Sequence, residues 1–80
     1  MMTFEVNRME MTASEKIRLL AKRKGKSMGD IADLTEQSRQ NLSNKMKRDN
    51  FTVVELQEIA AALDCSVNIT FVDDTTGESI

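Results

Sequence analysis

The stretch from Ser27 to Arg48, SMGDIADLTEQSRQNLSNKMKR, decides how the rest of the chain is read. It predicts two short helices joined by a tight turn. Ile31, Ala32 and Leu34 give the first helix its apolar residues. Leu42 and Met46, four apart, make the inward stripe of the second. That stripe leaves Arg39, Gln40, Asn41, Asn44 and Lys45 on the outer side. Met28, Leu42 and Met46 read as core residues rather than functional ones.

Working outward, the flanks carry helix signals of their own. Thr12 and Glu15 have the capping-box spacing and open a helix over about 13–24 that buries Ile17, Leu20 and Ala21, with Leu19 alongside. Lys22-Arg23-Lys24 and then Gly25 end it, because cations suit the negative end of the helix dipole and glycine takes a left-handed cap. Ser27 caps a second helix over about 28–35, and Ser38 a third over about 38–47. Thr52 and Glu55 repeat the capping spacing and open a fourth over about 52–64, with Val53, Leu56, Ile59, Ala60 and Leu63 facing inward. Val67, Ile69 and Phe71 then alternate with polar residues, which predicts a strand over 67–72. Met2, Phe4 and Val6 give a weaker strand signal over 2–8, and the tail DDTTGESI reads as polar and frayed. The expected fold is therefore mainly α: one domain over residues 1–80, with four helices, a C-terminal β-strand and a short N-terminal one.

Composition excludes several classes of function. Eighty residues without Trp, Tyr, Pro or His form one modest core. With no histidine and one cysteine, zinc, haem and histidine-based acid–base chemistry lack ligands and bases, so no metal and no cofactor are expected. The carboxylates are scattered over helix faces and no nucleophile–base pair is visible, so an enzyme is not expected. Cys65 reads as a small hydrophobe at a helix end, and a lone cysteine fits a reducing, cytoplasmic location. No apolar run approaches the roughly 18–20 residues that cross a bilayer, and the alternating, acid-bearing start does not read as a signal peptide.

Charge is more telling in its distribution than in its sum. The net charge of −2 argues against a nucleic-acid partner. Residues 14–48, however, hold ten of the eleven basic side chains and stand at +6, while residues 49–80 hold seven acids, no Lys or Arg, and stand at −7. A chain polarised this way presents one positive face whatever its total. The positive half coincides with the two-helix stretch.

Two helices with a polar, basic outer face on the second have the layout of a helix-turn-helix, which places that second helix in the DNA major groove. Residues 17–66 resemble the phage-repressor-like (Cro/cI, or XRE-type) family. The resemblance rests on Gly25-Lys26-Ser27, Ile31-Ala32, Ser38-Arg39-Gln40-Asn41-Leu42-Ser43 and Ile59-Ala60-Ala61-Ala62-Leu63-Asp64. The Ala32-to-Leu42 spacing carries most of it: a small residue where the second and third helices touch, then an aliphatic one entering the core. It implies a lambda-repressor-like four-helix domain. Three positions depart from the pattern. Glu36 stands where the turn usually has glycine, Gln37 where an apolar residue follows, and Met28 where a phosphate-gripping glutamine often opens the second helix.

The resemblance also implies residue roles. Arg39, Gln40 and Asn44 are the expected base readers, with Ser38 and Asn41 as secondary candidates; Ser38 also reads simply as a helix cap. Arginine bridges guanine O6 and N7, and Gln or Asn bridges adenine N6 and N7. Lys26, Ser27, Lys45, Lys47 and Arg48 are the expected phosphate contacts, which fix register without reading sequence. The expected function is sequence-specific double-stranded DNA binding by a small bacterial or mobile-element transcriptional regulator. A homodimer is expected to read two half-sites, with Val67, Ile69 and Phe71 in a small sheet that supports it, the strand pairing with residues 2–8 of its own chain or with its copy across a two-fold axis. No small-molecule ligand and no membrane partner are expected, since the chain leaves no room for an effector domain. The alternative reading is a protein-interaction module, an antitoxin or adaptor, using the acidic C-terminal half to bind a partner.

Overall fold

The computed structural model describes residues 11–80, and the strand expected over 2–8 lies outside them. Four helices follow in order: α1 Ala13–Lys24, α2 Met28–Leu34, α3 Arg39–Arg48 and α4 Val53–Ala62. Each begins where its side-chain chemistry directs. Thr12, Ser27 and Thr52 cap α1, α2 and α4 with complete capping boxes, closed by Glu15, Asp30 and Glu55. Ser38 caps α3 alone, its hydroxyl accepting from the Asn41 N–H at 3.0 Å. The expected boundaries thus hold to within two residues. Ser38 and Thr52 are caps rather than helical residues, α2 stops one residue early at Leu34, and α4 stops two early at Ala62.

The core is drawn from all four helices. Ile17 and Ala21 of α1, Ile31 and Ala32 of α2, Leu42 and Met46 of α3, and Ile59 of α4 with Leu63 just beyond it form one buried cluster. Leu20, Met28, Phe51, Leu56 and Cys65 pack around it, half-buried. One apolar assignment needs correction. Val53 is 48% exposed and stands outside the inward stripe of α4, in whose first turn it lies. Leu34 closes α2 as expected and is 56% exposed there. Leu19 is likewise more exposed than the adjoining Leu20.

A contact far apart in sequence ties the start of α1 to the end of α3. The Asp49 carboxylate accepts from the Ser14 N–H at 2.8 Å and lies 2.9 Å from the Ser14 hydroxyl, which is also 2.7 Å from the Met46 carbonyl. One hydroxyl proton thus serves two acceptors. The carboxylate also sits at the positive end of the α1 dipole. Asp49 itself is left-handed, with φ of 52°.

The strand expected over 67–72 is not formed. Residues 66–69 instead line a groove of about 400 Å³ walled by α1 and α4, with Ile17, Leu20, Leu56 and Leu63 among its lining. Pairing begins only at Phe71, whose N–H and C=O exchange hydrogen bonds with Ile80 at 2.9 and 2.8 Å, and Val72 bridges Ser79 antiparallel. The intervening turn is held by Asp73. Its side chain accepts from the Thr75 N–H and its carbonyl from the Gly77 N–H, and Gly77 is left-handed. Alternation in sequence specifies which face a residue takes, but it does not supply a partner strand. Among the described residues the only partner that Phe71 and Val72 find is the tail. Val67 is half-buried, Ile69 is exposed and Phe71 is 75% exposed. No helix among the described residues is long and apolar enough to cross a membrane.

Candidate nucleic-acid interface

The turn between α2 and α3 spans residues 35–38. It closes with the Thr35 N–H on the Ile31 carbonyl at 2.9 Å and the Gln37 N–H on the Ala32 carbonyl at 2.9 Å. That closure needs a left-handed residue between them, and Glu36 fills the place with φ of 56°. Gln37, standing where an apolar residue was expected, contributes hydrogen bonds instead. Its amide donates to the Thr35 hydroxyl at 2.8 Å and accepts from the Asn41 amide at 3.0 Å. The turn is therefore braced through polar side chains, and α2 packs against α3 and α4.

On α3, Leu42 and Met46 point into the core and everything else faces out or to the side. Gln40 and Asn44, one turn apart, are exposed and make no side-chain hydrogen bond among the described residues. Asn41 is exposed but tethered to Gln37. Ser38 serves as the helix cap, and its hydroxyl keeps one proton free to donate. Lys47 and Arg48 close the helix, exposed.

Two expected contact residues stand elsewhere than anticipated. The Arg39 side chain, exposed overall, turns its guanidinium back across Gly29 in the first turn of α2. Lys45 is half-buried and forms an ion pair with Glu55 of α4. That carboxyl is held below the usual glutamate range, chiefly by its bond to Lys45 and then by the Thr52 N–H that it caps. A lysine engaged this way must break the pair before it meets a phosphate. Of the expected phosphate contacts at α2, Lys26 is half-buried, and Ser27 caps the helix. The Asp30 carboxyl there is lowered by the Ser27 backbone and side-chain bonds, with Lys26 and Arg39 adding their charge.

Sequence reasoning passed over Asn50 and Gly29. Asn50 joins Asn41, Asn44, Lys45 and Arg48 along a shallow groove of about 310 Å³ beside α3. The Asp49-Asn50 pair, turn chemistry directly after the helix, was the available signal. Cys65, read as a small hydrophobe at a helix end, is half-buried against the core, with its sulfur 3.2 Å from the Leu63 carbonyl. No family model matches the chain, and neither a curated protein nor a solved structure matches it.

Proposed function

We propose that this chain binds double-stranded DNA sequence-specifically, as a small bacterial or mobile-element transcriptional regulator of the Cro/cI-like helix-turn-helix type. In this reading α2 and α3 are the helix-turn-helix, and α3 enters the major groove. The observation that carries it is the outer face of α3. Gln40 and Asn44 stand one turn apart, exposed and uncommitted among the described residues, with Lys47 and Arg48 at the same helix's end. Each exposed carboxamide matches the donor–acceptor pattern of an adenine edge, and the two cations at the helix's end suit the sugar–phosphate backbone. Lys26 and the Ser27 hydroxyl at α2 complete the backbone contacts. The cytoplasm is the compartment that fits this activity.

One such unit reads few base pairs, so we also propose a homodimer. Ile69, Phe71 and Ile80 give it an apolar surface, at 51%, 75% and 88% exposure. The same surface, flanked by Asp73, Asp74 and Glu78, also favours the second reading, a module that docks a protein partner. Selection from a random duplex library at fixed salt separates the two. A palindromic consensus that relaxes in Gln40→Ala and Asn44→Ala, by about 1–3 kcal/mol for each lost bidentate contact, supports the DNA reading. Recovery of no consensus refutes it.

A further inference from the structure

Gly29 is buried, although it lies in the first turn of α2 between half-buried Met28 and exposed Asp30. The group that covers it is Arg39. A Cβ placed on Gly29 would fall 2.6 Å from both Cζ and Nε of Arg39, closer than any such contact is made. The guanidinium therefore occupies the space that a side chain at position 29 would fill. It shares that corner with Arg18, Leu42 and Ser43 around a small cleft.

We propose that Gly29 is a specificity-determining residue that itself touches no base. By giving the Arg39 guanidinium a seat on α2, it removes the group that selects guanine from the reading end of α3. Base recognition then falls to the amides of Gln40 and Asn44. The inference rests on α3 being the reading helix. Its chemistry is that of the two side-chain types: a guanidinium pairs with guanine O6 and N7, and a carboxamide with adenine N6 and N7. Arg39 is the first residue of α3, immediately before Gln40, and the N-terminal residues of a recognition helix are those that reach base edges. What blocks a larger residue at position 29 is the far end of a long, flexible side chain. The cheapest response to a Cβ there is for the guanidinium to swing off α2, while the helix keeps its place.

The test compares the parent, Gly29→Ala, Arg39→Ala and the double variant in selections from a random duplex library at one salt concentration. Circular dichroism confirms the helix content of each. The parent and Arg39→Ala are expected to select the same consensus. Gly29→Ala is expected to gain guanine at one base pair of each half-site, by about tenfold or more, and the double variant to lose that gain. A Gly29→Ala consensus identical to the parent's overturns the proposal while leaving α3 as the reader. Relaxation of the parent consensus by Arg39→Ala as strongly as by Gln40→Ala also overturns it, since Arg39 would then already read a base. This arm stands even where Gly29→Ala fails to fold. A parent that selects no sequence overturns the DNA reading and the proposal together.

Discussion

Glu36→Gly is expected to make this protein more stable, and the gain can be worked from the turn it occupies. Glu36 has φ of 56°, where an L-residue's Cβ crowds the backbone at a cost of about 1–2 kcal/mol. Its side chain is exposed and makes no hydrogen bond among the described residues, so removing it forfeits none. The backbone bonds of the turn remain, from the Glu36 N–H to the Asp33 carbonyl at 3.2 Å and from the Gln37 N–H to the Ala32 carbonyl. Glycine's greater freedom in the unfolded chain takes back about 0.4–1 kcal/mol. The net gain is about 0–1.6 kcal/mol, centred at about 0.8, or about 3–6 °C in melting temperature at that centre for a domain of this size.

Thermal unfolding followed by far-UV circular dichroism reads this directly, and two comparisons make it decisive. Glu36→Ala removes the same charge but keeps a Cβ in the left-handed region, so it is expected to show no gain. Asp49 and Asp64 are also left-handed, with φ of 52° and 57°. Aspartate tolerates that region better than glutamate, so Asp64→Gly is expected to gain less than Glu36→Gly. Asp49→Gly is expected to lose stability, because its carboxylate holds Ser14. A Glu36→Gly protein no more stable than Glu36→Ala would refute the assignment of strain to this turn.

Asp49→Ala removes the acceptor for the Ser14 N–H and a partner of its hydroxyl, and is expected to cost about 1.5–3 kcal/mol in urea unfolding, with Asp49→Asn recovering part of it. Lys47→Ala and Arg48→Ala are expected to weaken binding to every duplex alike, each lowering the slope of log K against log salt by about one, while leaving the selected consensus unchanged. Phe71→Asp is expected to shift the protein toward monomer in sedimentation at tens of micromolar; a parent already monomeric there refutes the dimer. For pH, Glu55 and Asp30 have folded-state values below their unfolded ones. Their contribution is therefore complete at neutral pH and is lost as pH falls through the carboxylate range, below about 4. Glu55→Gln is expected to melt lower than the parent at pH 7 and to converge with it in acid.

The parts of this molecule legible in its sequence are those governed by neighbours a few residues away. Thr12 with Glu15 and Thr52 with Glu55 announce their helices because a capping box is complete within four residues. Leu42 and Met46 announce the inward face of α3 because helical period alone puts them together. The parts that were not legible join residues distant in the chain. The Ser14–Asp49 clasp spans 35 positions, and Phe71 meets Ile80 where the tail had read as frayed. No periodicity encodes either pairing. The tail's Asp73 and Gly77 did carry turn chemistry, which marks a reversal even where no strand pattern follows it.

The same division explains which candidate contact residues kept their expected places. Short amides such as Gln40 and Asn44 stay where the helix puts them, so helical geometry is enough to locate them. Long cations do not, since their charged ends lie several bonds from the backbone and settle on whatever the tertiary structure offers. Arg39 settles on the gap left by Gly29, and Lys45 on Glu55 of α4. A count of basic residues therefore overstates the free charge on α3 by the one cation, Lys45, that Glu55 neutralises. Lys47 and Arg48, exposed at the helix's end and in no ion pair among the described residues, are the cations on which the proposed affinity for a phosphate backbone should depend most.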